Sequence, residues 1–100
     1  MVDKIGEGPT PQESYKKNFD RAVKLFQRSL DGYQQSEIPA QKEKFKDVMD
    51  KCLVIIHETI RFAKGSEKPF VKVDQDYQNY IANENPKTLE QLSKDLDSLS

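Results

Sequence analysis

Prolines at positions 11, 39, 69 and 86 divide this chain into four stretches, and within each stretch apolar residues recur every three or four positions. Proline lacks the N–H that a helix interior needs but fits a helix's first turn, so the divisions read as helix boundaries. A repeat of three and four aligns side chains on one helical face, whereas a half-buried strand would alternate. The pattern predicts an all-α fold, an up-down antiparallel bundle of three to four helices with short connections.

The boundaries follow from local chemistry. Thr10-Pro11-Gln12-Glu13 reads as an N-cap with a capping-box glutamate. Tyr15, Phe19, Ala22, Val23, Phe26, Leu30 and Tyr33 then line one face, which predicts a helix over 11–35. Ile38 precedes Pro39 and is pushed out of the α region, so a second helix starts at the proline. Its stripe is Phe45, Val48, Met49, Cys52, Ile55, Ile56, Thr59 and Ala63, widened by Leu53, Ile60 and Phe62. Gly65 predicts a left-handed C-terminal cap. Phe70, Val73, Tyr77 and Tyr80 suit a third helix, although Val71 and Val73 also alternate as in a short strand. Asn85 caps a fourth helix bearing Leu89, Leu92, Leu96 and Leu99. Residues 1–9 read as a flexible N-terminal tail, and 10–100 as one helical-bundle domain.

Composition narrows the function. Hydrophobic residues make up 35% and charged residues 33%, a balance that suits thin amphipathic helices with charged outer faces. Sixteen basic residues against seventeen acidic ones give a net charge of −1, so there is no global attraction to nucleic acid or to an anionic membrane. No apolar run approaches the roughly 18 residues of a membrane span. A single cysteine, Cys52, excludes an internal disulfide and points to a reducing, cytoplasmic setting.

Catalysis has little to build on. His57 is the only histidine, and general-base chemistry would need an orienting partner and a nucleophile beside it. Glu58 projects about 100° away around the helix, and Thr59 lies on the apolar face. Cys52 reads as a small core residue. The glycines at 6, 8, 32 and 65 are too scattered for a phosphate loop. No catalytic residue, metal site or cofactor is expected, and the chain reads as a non-enzyme that binds protein. Gly32, near the end of the first helix, marks either fraying or a close approach by a neighbouring backbone. Tyr15, Tyr33, Tyr77 and Tyr80 stand near helix ends, as core edge or contact surface. The second helix carries more apolar arc than one face buries, so Leu53, Ile60 and Phe62 are expected on exposed flanks. With Leu99 of the fourth helix they form the expected protein-binding surface.

Three segments resemble a known family. Phe19-Asp20-Arg21-Ala22-Val23-Lys24-Leu25-Phe26 is similar to a Tyr-Asp-Gly-Ala-hydrophobic-Lys-Phe-Leu stretch, with Arg21 in place of the glycine. Ile55-Ile56-His57-Glu58 resembles an Ile-Ile-x-Glu pattern. Ala82-Asn83-Glu84-Asn85-Pro86, followed by Leu89, Leu92 and Leu96, resembles a leucine-rich ending. Together they resemble the flagellin-specific secretion chaperones, the bacterial FliS family of type III export. That resemblance implies a four-helix bundle and a cytoplasmic adaptor that holds a helical client segment. The alternative is a structural protein that completes its core by homodimerisation through the fourth helix's leucines.

Overall fold

The computed structural model of the chain describes residues 11–99, with side chains from Glu13 onward. It contains four helices: α1 (Pro11–Gln35), α2 (Pro39–Lys64), α3 (Lys68–Ala82) and α4 (Pro86–Leu99). The expected Thr10 cap and the 1–9 tail lie outside the described residues. The segment around Val71 and Val73 is helical, and no strand occurs among the described residues.

The breaks work as the residues dictate. Ile38 is extended (φ −95°, ψ 116°) before Pro39, and its carbonyl accepts from the N–H groups of Gln41 and Lys42 at 3.0 Å. Gly65 adopts φ 75° and donates its N–H to the Arg61 carbonyl at 2.9 Å, ending α2 in the left-handed turn that glycine takes without Cβ strain. At the start of α4, Asn85 and Thr88 cap each other. The Thr88 N–H donates to Asn85 Oδ1 at 3.0 Å, and the Asn85 N–H donates to Thr88 Oγ1 at 3.3 Å. Such reciprocal capping satisfies two donors that the helix itself leaves open.

The helices pack as two hairpins. α1 and α2 form the long pair and α3 and α4 the short one, with α3 laid along α2 and α4 along α1. Pairs between α2 and α3 with its two flanks fix their antiparallel register: Arg61 with Glu67 just before α3, Asp50 with Tyr77 within it, and Lys42 with Glu84 just after it. The shared core draws Phe19, Val23, Phe26, Leu30 and Tyr33 from α1 and Met49, Leu53, Ile56 and Ile60 from α2. Val73, Tyr77 and Tyr80 enter from α3, and Leu92, Leu96 and Leu99 from α4. Aromatic edges join the layers, with Phe26–Tyr77 centroids 5.4 Å apart and Tyr33–Tyr80 centroids 6.0 Å apart. Each fully buried large side chain contributes roughly 1.5–3 kcal/mol, so this cluster supplies most of the driving force.

Two expectations are corrected here. Leu53, Ile60 and Leu99, expected at an exposed surface, are 7%, 0% and 1% exposed and belong to the core. Ile55, expected inside, is partly exposed, at 39%. The reason is that α2 serves two neighbours at once. Met49, Leu53, Ile56 and Ile60 repeat at four, three and four and face the α3–α4 layer. Cys52 and Thr59 turn toward α1. At 100° per residue the buried arc from Thr59 to Leu53 spans about 120° and is centred on Ile56. Gly32 is also settled. α1 continues past it to Gln35, and what approaches it is the Phe45 ring rather than a neighbouring backbone.

Candidate functional site

The outward face of the α1–α2 hairpin, opposite the α3–α4 layer, is not covered by any described helix. The repeat that gives α2 its second seam continues there through Ile55 and Phe62, seven residues apart. On α1 the corresponding line is Asn18, Ala22 and Leu25, at four and three. These positions meet across the hairpin in an open groove of about 450 Å³, walled by Tyr15, Asn18, Arg21, Ala22 and Leu25 from α1 and by Ile55, Glu58 and Thr59 from α2.

Its depth comes from side-chain size. Ala22 is buried and small, and Thr59 folds its hydroxyl back onto its own helix, donating to the Ile55 carbonyl at 2.7 Å. That bond satisfies the hydroxyl without a ligand. Leu25 and Ile55 stand on opposite walls, 47% and 39% exposed. Tyr15 stacks on Phe62 across the helix pair, with centroids 4.2 Å apart and planes 16° from parallel. This stack separates the groove from a second hollow of about 400 Å³ bordered by Tyr15, His57, Glu58, Arg61, Phe62 and Glu67.

The second hollow is polar. His57 stacks on Phe70 at 4.4 Å, and its Nε2 lies 3.4 Å from Glu67 Oε1. Arg61 donates to the same oxygen from Nε at 3.1 Å and from Nη2 at 2.7 Å. The Arg61 hydrogen bonds hold the Glu67 carboxyl below its ordinary range, with the Arg61 charge and His57 adding to the effect. This cluster ties the end of α2 to the start of α3. Cys52 is buried, and burial raises its thiol above the ordinary range, so it is a poor nucleophile. Among the described residues no group of three or more His, Cys, Asp or Glu could hold a metal ion, and no helix is long and apolar enough to cross a membrane.

Of the four surface residues expected from sequence, the structure leaves only Phe62 outside, at 43% exposure. Leu53, Ile60 and Leu99 do not meet it on any surface. Tyr15 is on the surface, whereas Tyr33, Tyr77 and Tyr80 are buried. Tyr33 donates its hydroxyl to Glu84 at 2.6 Å and Tyr77 to Asp50 at 2.7 Å. Leu25 and Ile55 were missed, yet their signal is present: a second three-and-four line runs beside the first on both α1 and α2. Leu92, Leu96 and Leu99, the leucine seam of α4, are buried inside the chain. Comparison with protein-family models, curated proteins and solved structures gives no match for the chain.

Proposed function

We propose that this chain is a non-enzymatic protein-binding helical bundle, and that it receives a helical segment of a partner in the groove between α1 and α2. One observation carries the reading. In a chain whose four helices close a full core, Leu25, Ile55 and Tyr15 remain exposed together around one hollow, and Phe62 extends this apolar surface at the groove's end by stacking on Tyr15. Contiguous exposed apolar surface of this kind marks interaction sites, and a trough between two parallel or antiparallel helices accepts a third helix's apolar face. The resemblance to type III export chaperones gives this reading a specific form, an adaptor that shields a helical client until export.

Site-specific photo-crosslinking tests it. A photoreactive residue at Leu25 or Ile55 in the native cell should give the same crosslinked protein. One at Val71, exposed on α3 away from the groove, should not. Ile55→Glu should remove the crosslink from position 25 while circular dichroism and melting stay as in the parent. Equal labelling from Val71, or none from either groove position, defeats the reading.

A further inference from the structure

We infer that the segment held in this groove is an acidic amphipathic helix, a conclusion that rests on the protein-binding reading above. The observation is a row of cations on α1. Lys17, Arg21, Lys24 and Arg28 follow one another at four, three and four residues, which aligns them along one edge of the helix. All four are exposed, and none takes part in an ion pair or a hydrogen bond among the described residues. Other exposed lysines, such as Lys44, Lys51 and Lys64, are unpaired as well, but they are scattered. What distinguishes the α1 row is its continuity, four cations on one edge beside an apolar trough.

The row borders the groove. Arg21 is one of its walls, next to Leu25. At 100° per residue the acids of α1, Glu13, Asp20 and Asp31, fall on the far side of the row from the groove. The row spans twelve residues, a rise of about 16 Å, which is three helical turns. A docked helix of that length would place apolar residues at i, i+4 and i+7 between Leu25 and Ile55. Carboxylates along its neighbouring edge would then face Lys17, Arg21, Lys24 and Arg28. On the opposite wall Glu58 carries the reverse sign and Lys51, two turns along the same edge, carries a positive one, so the unbroken row on α1 is the more basic of the two edges.

The same features disfavour other occupants. A second copy would bring a second identical row of cations to the same face. An anionic bilayer would meet a recess with Glu58 at its rim, rather than an apolar ridge that can be inserted. With a net charge of −1 the chain as a whole has no general attraction for polyanions.

The test uses the full chain and two labelled probe peptides of about 16 residues, with fluorescence anisotropy as the readout. Both peptides carry leucines at i, i+4, i+7 and i+11; one has glutamates along the flank and the other has lysines. The acidic peptide should bind at least about tenfold more tightly than its basic twin at low salt, and the gap should shrink as salt shortens the screening length. Lys17→Glu combined with Arg28→Glu should reverse the order of the two peptides. Ile55→Glu should abolish both. Equal binding of both peptides, lost on Ile55→Glu, would overturn the acidic preference and leave the groove reading standing. Binding of neither peptide would overturn both, and capture by phosphatidylserine vesicles instead would assign the face to membranes. A dimer that dissociates on Ile55→Glu and excludes both peptides would also overturn the inference, giving the face to a second copy.

Discussion

The ring of Phe45 lies against the bare Cα of Gly32, so close that a Cβ at Gly32 would stand 2.5 Å from both Cε1 and Cζ of the ring. The contact lets the two longest helices approach near their joining turn. Alanine at position 32 gains about 1 kcal/mol of helix propensity. Against that gain, the ring must leave its seat on the core and lose part of its burial. Gly32→Ala should therefore destabilise the chain by about 1 kcal/mol in urea melts. In a Phe45→Ala background the same change should stabilise by about 1 kcal/mol, because only the propensity remains.

The two lines of α2 should separate in mutagenesis. Ile56→Ala and Ile60→Ala each remove a fully buried branched side chain and should cost about 2–5 kcal/mol. Leu53→Glu buries an unpaired carboxylate and should abolish cooperative unfolding. Ile55→Glu, two positions beyond Leu53 but on the open wall, should shift stability by no more than about 0.5 kcal/mol. Chemical denaturation of the four variants measures all of this, and a large loss on Ile55→Glu would contradict the open groove.

Alkali should unfold the protein through its buried tyrosines. Burial, and then the hydrogen bond to a carboxylate, raise the Tyr77 and Tyr33 hydroxyls well above their ordinary range, and burial also raises Tyr80. A raised folded-state pKa gives stability that is complete below the unfolded value of about 10 and declines as pH climbs past it. Melting temperature should thus fall above about pH 10, and tyrosinate absorbance from these residues should appear only with unfolding. Tyr77→Phe should cost about 1 kcal/mol near neutral pH, since Asp50 is partly exposed and retains Lys46 at 3.3 Å.

Cys52 should be almost inert to aromatic disulfide reagents in the folded chain. The thiol is 1% exposed, and its ionisation is suppressed by burial. Labelling should proceed at the rate of unfolding and become immediate in strong denaturant. Fast labelling under native conditions would show that the α1–α2 interface opens.

Much of this architecture is legible in the residues. Pro39, Gly65 and the Asn85–Thr88 pair set helix ends by local chemistry alone, so the boundaries of α1, α2 and α4 can be read directly. The leucines of α4 suffice to place its inner face. The phase of α2 is harder, because its apolar arc serves two neighbours and sequence does not say which edge each one covers. Leu53 and Ile55 are both aliphatic and two positions apart. What separates them is the α3–α4 layer, which covers Leu53, while small Ala22 leaves Ile55 facing a trough. That information lies in other helices, beyond the reach of any window along α2.

The three polar pairs that join α2 to α3 and its two flanks act as the marks of a vernier. Arg61–Glu67, Asp50–Tyr77 and Lys42–Glu84 engage together in one alignment. A slip of α3 by one turn, about 5.4 Å, would separate all three at once, so no half-slipped state shares their energy. α4 carries fewer marks. It is tied to α1 by Gln27–Asp97 at 3.3 Å and to α3 by Lys72–Asp95 at 3.6 Å, and its inward side is a ladder of leucines that mesh similarly at neighbouring steps. A slip of α4 would break fewer polar contacts than a slip of α3, and the walls of the groove, built from the first two helices, do not depend on the alignment of the last.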